Sequence, residues 1–366
     1  MKLLRKLAII VASVGLMTGA VWPSPPPATV SNPYPTKVTG KDSVNRTDLT
    51  VDIKGTDLGI FVEGTDDDVL MLFGDTFGMG WGGHGVPDGN PPNDAWRSQV
   101  VARSKDHNLT NTVSIHSWSR YGGEMLYSAK INNQEITVVP TGAVTVGDRI
   151  YAALMSVHHW GPGGGTWSTN YNAWAYSDNN GETWAWAPGS YWNNLTGTNG
   201  GFNFQQNAFV KGGDGFVYVY GTPAGRKGFV RIGRVPENQI LTMSAYEYWN
   251  GTVWQPQIAN AAPTSIRSGE LSVAYSEYLD KWVMLSTECA AAGTGVCEAV
   301  IRTAPSPEGP WSSGAIAASS SNGEIYAPSI HPWSAADPDE DSLYFNLSVW
   351  EWYNVYFFNT DLDLAP

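Results

Sequence analysis

Three acidic residues stand where apolar segments begin or end. Asp57 lies in the segment TDLGIF, Glu270 lies in GELSVAY, and Asp75 closes the apolar run VLMLFGD. If these carboxyl groups share a water-poor cleft, they cannot all stay ionised, and one keeps its proton near neutral pH. A protonated acid beside an ionised carboxylate can break a glycosidic bond, because the acid protonates the leaving oxygen while the carboxylate attacks the anomeric carbon or activates water. Each acid could also be structural, and Glu270 could pair with Arg267.

Residues suited to hold a substrate accompany these acids. Trp96 could stack on a sugar ring, and Arg97 could orient a carboxylate or bind a hydroxyl, although Arg97 could instead form an ion pair with Asp75. The predicted substrate contacts are Trp96, Arg97, His158, Asn172, Gln206, Arg226, Tyr326 and Trp350. Adjacent histidines on a strand, such as His158 and His159, point in opposite directions, which favours substrate contact or packing over metal binding. We predict no metal site and no cofactor.

Five similar apolar runs recur along the chain, and they are the elements that would position these residues. The runs are VLMLFGD (69–75), IYAALMS (150–156), FVYVYGT (216–222), WVMLSTE (282–288) and LYFNLSV (343–349). Each stands between two further short segments rich in β-branched and aromatic residues and bounded by turn residues, which is typical of strands. Five repeats of three or four strands predict an all-β fold, a five-bladed β-propeller, whereas two separate sandwiches would not predict five similar triplets.

A propeller would bring the distant acids together. Strand A of each blade lies innermost and begins at one face, called here the top face, where strand B ends and where the B–C loops lie. Asp57 and Glu270 fall at the start of strand A in blades one and four, and Asp75 falls at the end of strand B in blade one. We therefore expect Asp57 and Glu270 to face each other across the axis, with Asp75 beside Asp57. Functional residues commonly gather where loops crown a rigid scaffold.

The ends of the chain predict export and ring closure. Residues 1–20 combine basic residues, an apolar run and small residues, the layout of a secretory signal peptide, and 21–44 form a proline-rich linker. The segment TKVTGKD (36–42) could add the outer strand of blade five and close the ring. The single propeller domain would then span 45–366. We expect a secreted, extracellular protein associated with the cell envelope, monomeric and free of the membrane after signal cleavage.

Composition restricts the partners. The formal net charge of −13 argues against nucleic acid and against anionic lipid, since no basic patch can neutralise phosphates. The 17 Trp and 17 Tyr residues suit the flat faces of sugars, although large β-proteins also use them for packing. Cys289 and Cys297 are the only cysteines, and in an exported protein such a close pair is expected to form a disulfide.

Several segments together resemble a known family. They are TDLGIF, LFGDTFG, WRSQ, FVYVYGTPAGR, GELSVAY and YAPSIHPW, and the resemblance covers residues 45–360. Its members are secreted proteins of actinobacteria and their phages, and the family was long catalogued as a domain of unknown function. The resemblance implies a five-bladed glycoside hydrolase, an endo-D-arabinanase that cuts α-linked D-arabinofuranose chains of arabinogalactan and lipoarabinomannan in mycobacterial-type envelopes. It also implies that Asp57 and Asp75 belong to the catalytic acids, whereas Glu270 matches by its pocket position.

Two other functions stay open at this point. A sialidase also has a propeller fold, but its chemistry needs three arginines around the substrate carboxylate and a tyrosine nucleophile. Arg97, Arg226 and Arg267 could supply those arginines. A lectin-like propeller that binds cell-wall glycan without cleaving it is the alternative outside enzymes.

Overall fold

The computed structural model describes residues 35–83, 95–194, 200–290, 297–319 and 324–366. The predicted signal peptide (1–20) and the first part of the linker (21–34) lie outside the described residues. Within them, the chain forms five antiparallel sheets of four or five strands, and one further two-stranded pair joins Gly228–Phe229 to Arg267–Ser268. No described helix has the length and apolar character needed to cross a membrane.

Each sheet is one blade, with strands A, B, C and D from the axis outward. Blade one contains Gly55–Glu63, Val69–Phe77, Val100–Ser104 and Ser117–Trp118; blade two contains Thr137–Val146, Arg149–Trp160, Trp167–Ser177 and Ala185–Asn193. Blade three contains Gln206–Lys211, Phe216–Thr222, Arg231–Pro236, Glu247–Trp249 and a fifth strand, Trp254–Gln255. Blade four contains Leu271–Ser276, Lys281–Cys289, Cys297–Ala304 and Ala315–Ser319; blade five contains Ile325–Ile330, Ser342–Val349, Asn354–Asp361 and Thr36–Lys37.

The five apolar runs of the sequence are the five B strands. Strand B of blade one, Val69–Phe77, is buried along its whole length, because it lies between strands A and C and both of its faces pack against neighbouring blades. A strand buried on both faces reads as a continuous apolar run, which explains why this strand gave the clearest repeat. Each A strand contacts the A strands of two neighbouring blades, and blade one packs against blades two and five. The predicted five-bladed β-propeller is confirmed.

The ring is closed by residues that are far apart in the chain. Thr36–Lys37 pairs antiparallel with Asn354–Asp361 and so completes blade five. Thr39 Oγ1 extends this join, donating to Asn354 Oδ1 at 2.9 Å and accepting from the Val355 amide at 3.0 Å. This pairing covers part of the outer edge of Asn354–Asp361 and joins the two ends of the propeller.

Short helices and turns lie in the connections between strands. Two single-turn α-helices span Thr47–Thr50 and Pro332–Ala335. Short 3-10 helices span Ser119–Tyr121, Gly201–Asn203, Glu237–Gln239, Met243–Ala245, Ile258–Asn260 and Leu362–Leu364. The box SDNNGETW folds the C–D turn of blade two, where Asn179 Oδ1 accepts from the Thr183 amide at 3.0 Å. Cys289 and Cys297, at facing ends of strands B and C of blade four, form the predicted disulfide.

Candidate active site

An axial cavity of about 520 Å³ is lined by the A strands of all five blades. Asp57, Asp75 and Glu270 all border it, so the structure brings the three predicted acids into one hollow. Glu324 and Glu63 border it as well. Ring closure therefore brings five carboxyl groups to one cavity.

Irregular backbone aims side chains from two A strands into the cavity. The pairing register of strand A in blade one shifts on both sides of Leu58, which adopts a left-handed conformation with φ of 67°. In blade five the register shifts after Tyr326, and Ala327 is left-handed with φ of 53°. β-Bulges redirect side chains, and left-handed backbone at residues other than glycine is strained. The strain lies directly beside Asp57 and Tyr326.

Asp57 is held among aromatic hydroxyls. Its Oδ2 accepts a hydrogen bond from Tyr326 at 3.0 Å, while its Oδ1 has no hydrogen-bond partner among the described residues. Oδ1 lies over Gly74, where a Cβ atom would come within 2.4 Å of it, so a larger residue at this position would displace the Asp57 carboxyl. Burial, reinforced by the charge of Asp75, raises the pKa of Asp57 to about 8, although hydrogen bonds from Tyr326 and Tyr353 oppose the shift.

Asp75 has two donors on one oxygen. Its Oδ1 accepts from Trp96 Nε1 at 2.9 Å and from Thr137 Oγ1 at 2.5 Å. Burial raises the pKa of Asp75 to about 7, and these two hydrogen bonds limit the rise, since they favour the ionised form. The pair therefore holds a carboxyl that is mainly protonated at pH 7 beside one that is partly ionised.

Glu270 is engaged by an arginine from another blade. Arg226 Nε lies 3.0 Å from both Oε1 and Oε2 of Glu270, and Arg226 Nη1 lies 3.3 Å from Glu324 Oε1. The Arg226 guanidinium also lies 4.6 Å from the centre of the Tyr326 ring. The suggested pair of Glu270 with Arg267 is wrong, because Arg267 lies over the ring of Phe229 instead. Glu270 thus faces the cavity as one partner of a bidentate ion pair.

Four of the predicted substrate contacts border the cavity and four do not. Those that border it are Gln206, Arg226, Tyr326 and Trp350. Those placed outside its lining are Trp96, Arg97, His158 and Asn172. Trp96 is buried and donates a hydrogen bond to Asp75. Arg97 does not pair with Asp75; its guanidinium donates to the backbone carbonyls of Asp52 at 2.7 Å and Gly122 at 2.8 Å. Asn172 is fully buried and donates to Thr141 Oγ1 at 2.9 Å.

The arginine triad of a sialidase is not assembled here. Of Arg97, Arg226 and Arg267, Arg226 alone borders the cavity, and both of its carboxylate partners come from the protein. A substrate carboxylate would have to displace Glu270 or Glu324 to reach it. The tyrosine nearest to this arginine, Tyr326, donates to Asp57.

Three residues of the site were missed by the sequence reasoning. Thr137 and Tyr353 carry no recognisable signal, since they act as hydrogen-bond donors across blades. Glu324 did carry a signal, because the sequence around it, Gly-Glu-Ile, repeats the Gly-Glu-Leu around Glu270. Burial raises the pKa of Glu324, and the charge of Arg226 opposes that shift.

Fold and cavity together define a five-bladed β-propeller with an acidic axial site. The chain belongs to the family described as a domain of unknown function, DUF4185, which matches residues 42–359. It is similar to two fungal proteins, notoamide biosynthesis cluster protein J of Aspergillus sp. (strain MF297-2) and protein J' of Aspergillus versicolor. Each is 27% identical over 319 residues, which are 81% of this chain and 80% and 81% of the two relatives.

A solved structure supports the architecture. A protein of Bacteroides ovatus ATCC 8483, provisionally assigned as a hydrolase, superposes with a TM-score of 0.55 at 13% identity. The match covers 85% of this chain and 86% of the other. At this identity the likeness bears on the fold.

Proposed function

We propose that the protein is a glycoside hydrolase that uses Asp57 and Asp75 as its catalytic pair. The observation that carries the proposal is the pair itself: two cavity carboxyls whose pKa values are raised to about 8 and about 7. Pairs of acids with separated pKa values divide the roles of proton donor and ionised partner. The roles follow from the hydrogen bonds: Asp75 Oδ1 accepts two, which favour the ionised form, whereas Asp57 Oδ1 accepts none among the described residues.

Asp57 acts as the proton donor. At neutral pH it carries the proton that moves to the glycosidic oxygen as the bond from that oxygen to the anomeric carbon breaks. Asp75 is the ionised partner, which attacks the anomeric carbon or removes a proton from the attacking water. Trp96 and Thr137 bond the same oxygen of Asp75, so its other carboxyl oxygen is left for this chemistry.

The substrate we propose is the α-linked D-arabinofuranose chain of mycobacterial-type arabinogalactan and lipoarabinomannan, cut internally outside the cell. Its support is the combination of TDLG, GDTFG and GELS in that order, which lie in blades one and four. The neutral chain also suits a cavity whose one arginine is already occupied by two glutamates.

The test is to incubate the purified protein with mycobacterial arabinogalactan and to identify the released sugars. Arabinan oligosaccharides are expected from the wild type. Asp57→Asn and Asp75→Asn should lower the rate at least about a thousandfold, whereas Asp178→Asn, at an exposed ion pair with Arg149, should not. Full activity in both cavity variants would exclude the mechanism, and binding without any product would indicate a lectin-like propeller.

A further inference from the structure

Aromatic residues on two blades flank the blade that carries the proposed acids. Trp160 and Trp167 lie at the top of blade two, and both border the cavity. Trp350 and Trp352 lie in the B–C turn of blade five, where Trp350 borders the cavity and Trp352 lies beyond its lining. Because blade one packs against both of these blades, the two aromatic pairs stand on either side of the acids.

We propose that a neutral polysaccharide crosses blade one between these two pairs, and that Trp352 is a remote platform for the chain beyond the cavity. This rests on the proposed function and extends it, because residues on both sides of the acids bind a chain that continues in both directions. Tryptophan rings bind the C–H faces of sugars and leave the hydroxyl groups in water.

The turn of blade five is fixed in place before any ligand arrives. The Trp350 amide donates to the Glu324 carbonyl at 2.9 Å, and the Tyr353 amide donates to the Trp350 carbonyl at 3.1 Å. The Glu351 carboxylate accepts from the Glu324 amide at 2.8 Å and 3.0 Å. These bonds tie the turn to the cavity wall, so a ring held here needs little ordering on binding.

Trp352 is exposed although it has a supporting surface. One side of its ring packs on Tyr356, with ring centres 5.4 Å apart, yet 47% of the residue is exposed. On blade two, Trp160 and Trp167 pack edge to face at 5.7 Å, and the Arg226 guanidinium lies 5.7 Å from the Trp167 ring. Both walls are therefore rigid aromatic surfaces that remain open to solvent.

Charge favours a neutral chain over an acidic one. The cations that border the cavity among the described residues are Arg226 and Lys211. Arg226 is paired with Glu270 and Glu324, and Lys211 lies 3.5 Å from Glu63. An acidic sugar would find no unpaired cation among the described residues that line the cavity and would be repelled by the acids.

The test compares Trp352→Ala with a matched control, Tyr191→Ala, which removes a similarly exposed ring (49%) from the outermost strand of blade two. The measured quantity is kcat/KM on arabinogalactan divided by kcat/KM on a short fragment of the same arabinan. Trp352→Ala should lower this ratio about tenfold, the loss expected for one ring platform, and the control should leave it unchanged. A ratio equal to that of the wild type would overturn the inference.

A second measurement keeps the inference separate from the proposed function. Migration through a native gel containing arabinogalactan reports binding without catalysis. If the wild type is retarded but releases no sugar, the hydrolase proposal fails, and the inference stands only if Trp352→Ala migrates faster than the wild type. Equal retardation of the two proteins, or none for either, would refute the chain path.

Discussion

The most direct test of the site is the pH dependence of stability after Asp57→Asn. In the native protein the pKa of Asp57 is about 8, whereas the ordinary value is 3.8. Between these values the unfolded chain ionises at this residue and the native protein does not, so Asp57 makes the free energy of unfolding fall as pH rises. The contribution of Asp57 to stability is complete below pH 4 and lost above pH 8.

The magnitude follows from the two pKa values. Each unit of pKa difference corresponds to about 1.36 kcal/mol, so Asp57 lowers the free energy of unfolding at pH 7 by about 4 kcal/mol relative to pH 4. Asparagine has nearly the same shape and cannot ionise. The variant should therefore gain stability over the wild type by about 1.4 kcal/mol per pH unit between pH 5 and 7.5, and the gain should level off above pH 8.

Urea unfolding at a series of pH values measures this difference. Other titrating groups largely cancel, since in the native state below about pH 7 both proteins carry an uncharged side chain at this position. The control is Asp178→Asn: the exposed ion pair with Arg149 lowers the pKa of Asp178, so over the same range this residue stays ionised in both states and its difference is flat. A flat difference for Asp57→Asn as well would mean that Asp57 ionises normally, and the proposed proton donor would be lost.

Three further substitutions test other parts of the site and its support. Trp96→Phe removes a donor that favours ionised Asp75, so its pKa should rise, and the acidic limb of the activity profile should move to higher pH by about one unit; an unchanged limb would contradict this. Arg226→Gln leaves Glu270 buried without its cation and should cost about 3 kcal/mol in urea unfolding, which an unchanged midpoint would exclude. His331 is fully buried with neither ring nitrogen hydrogen-bonded among the described residues, and burial lowers its pKa to about 3. His331 should therefore lower the free energy of unfolding as pH falls from 6.5 towards 3, and His331→Phe should remove this contribution, so that the variant gains stability relative to the wild type in acid; parallel pH curves for the two proteins would refute it.

The sequence predicts the fold well because the strongest pattern belongs to the most buried strands. Strand B of each blade is enclosed between strands A and C, and its apolar run survives wherever the turns vary. Asp57 and Asp75 could be placed for the same reason, since Asp57 lies near the start of strand A and Asp75 near the end of strand B, although the irregular backbone around Leu58 was not predicted. Their shared cavity follows from ring closure alone.

Contacts between blades were harder to predict. The direction of the Arg97 side chain depends on how its backbone pairs with that of Thr76. The sequence does not show that the Arg97 guanidinium donates to the backbone carbonyls of Asp52 and Gly122. The partner of Glu270 is on a loop of blade three, and no spacing in the sequence links that loop to blade four. The spacing of apolar residues along the sequence shows which strands are buried. It does not show which side chains from different blades meet, because that depends on the course of the loops between strands.

The join in blade five constrains how the molecule can be made. The bond between Thr39 and Val355 links residues 316 positions apart, so the segment synthesised first stays unpaired until nearly the whole chain has been released. Any protease that trims past residue 36 would uncover an edge strand at the same blade that presents Glu324 and Trp350. Removal of residues 36–39 is therefore expected to loosen the blade that carries two residues of the cavity wall.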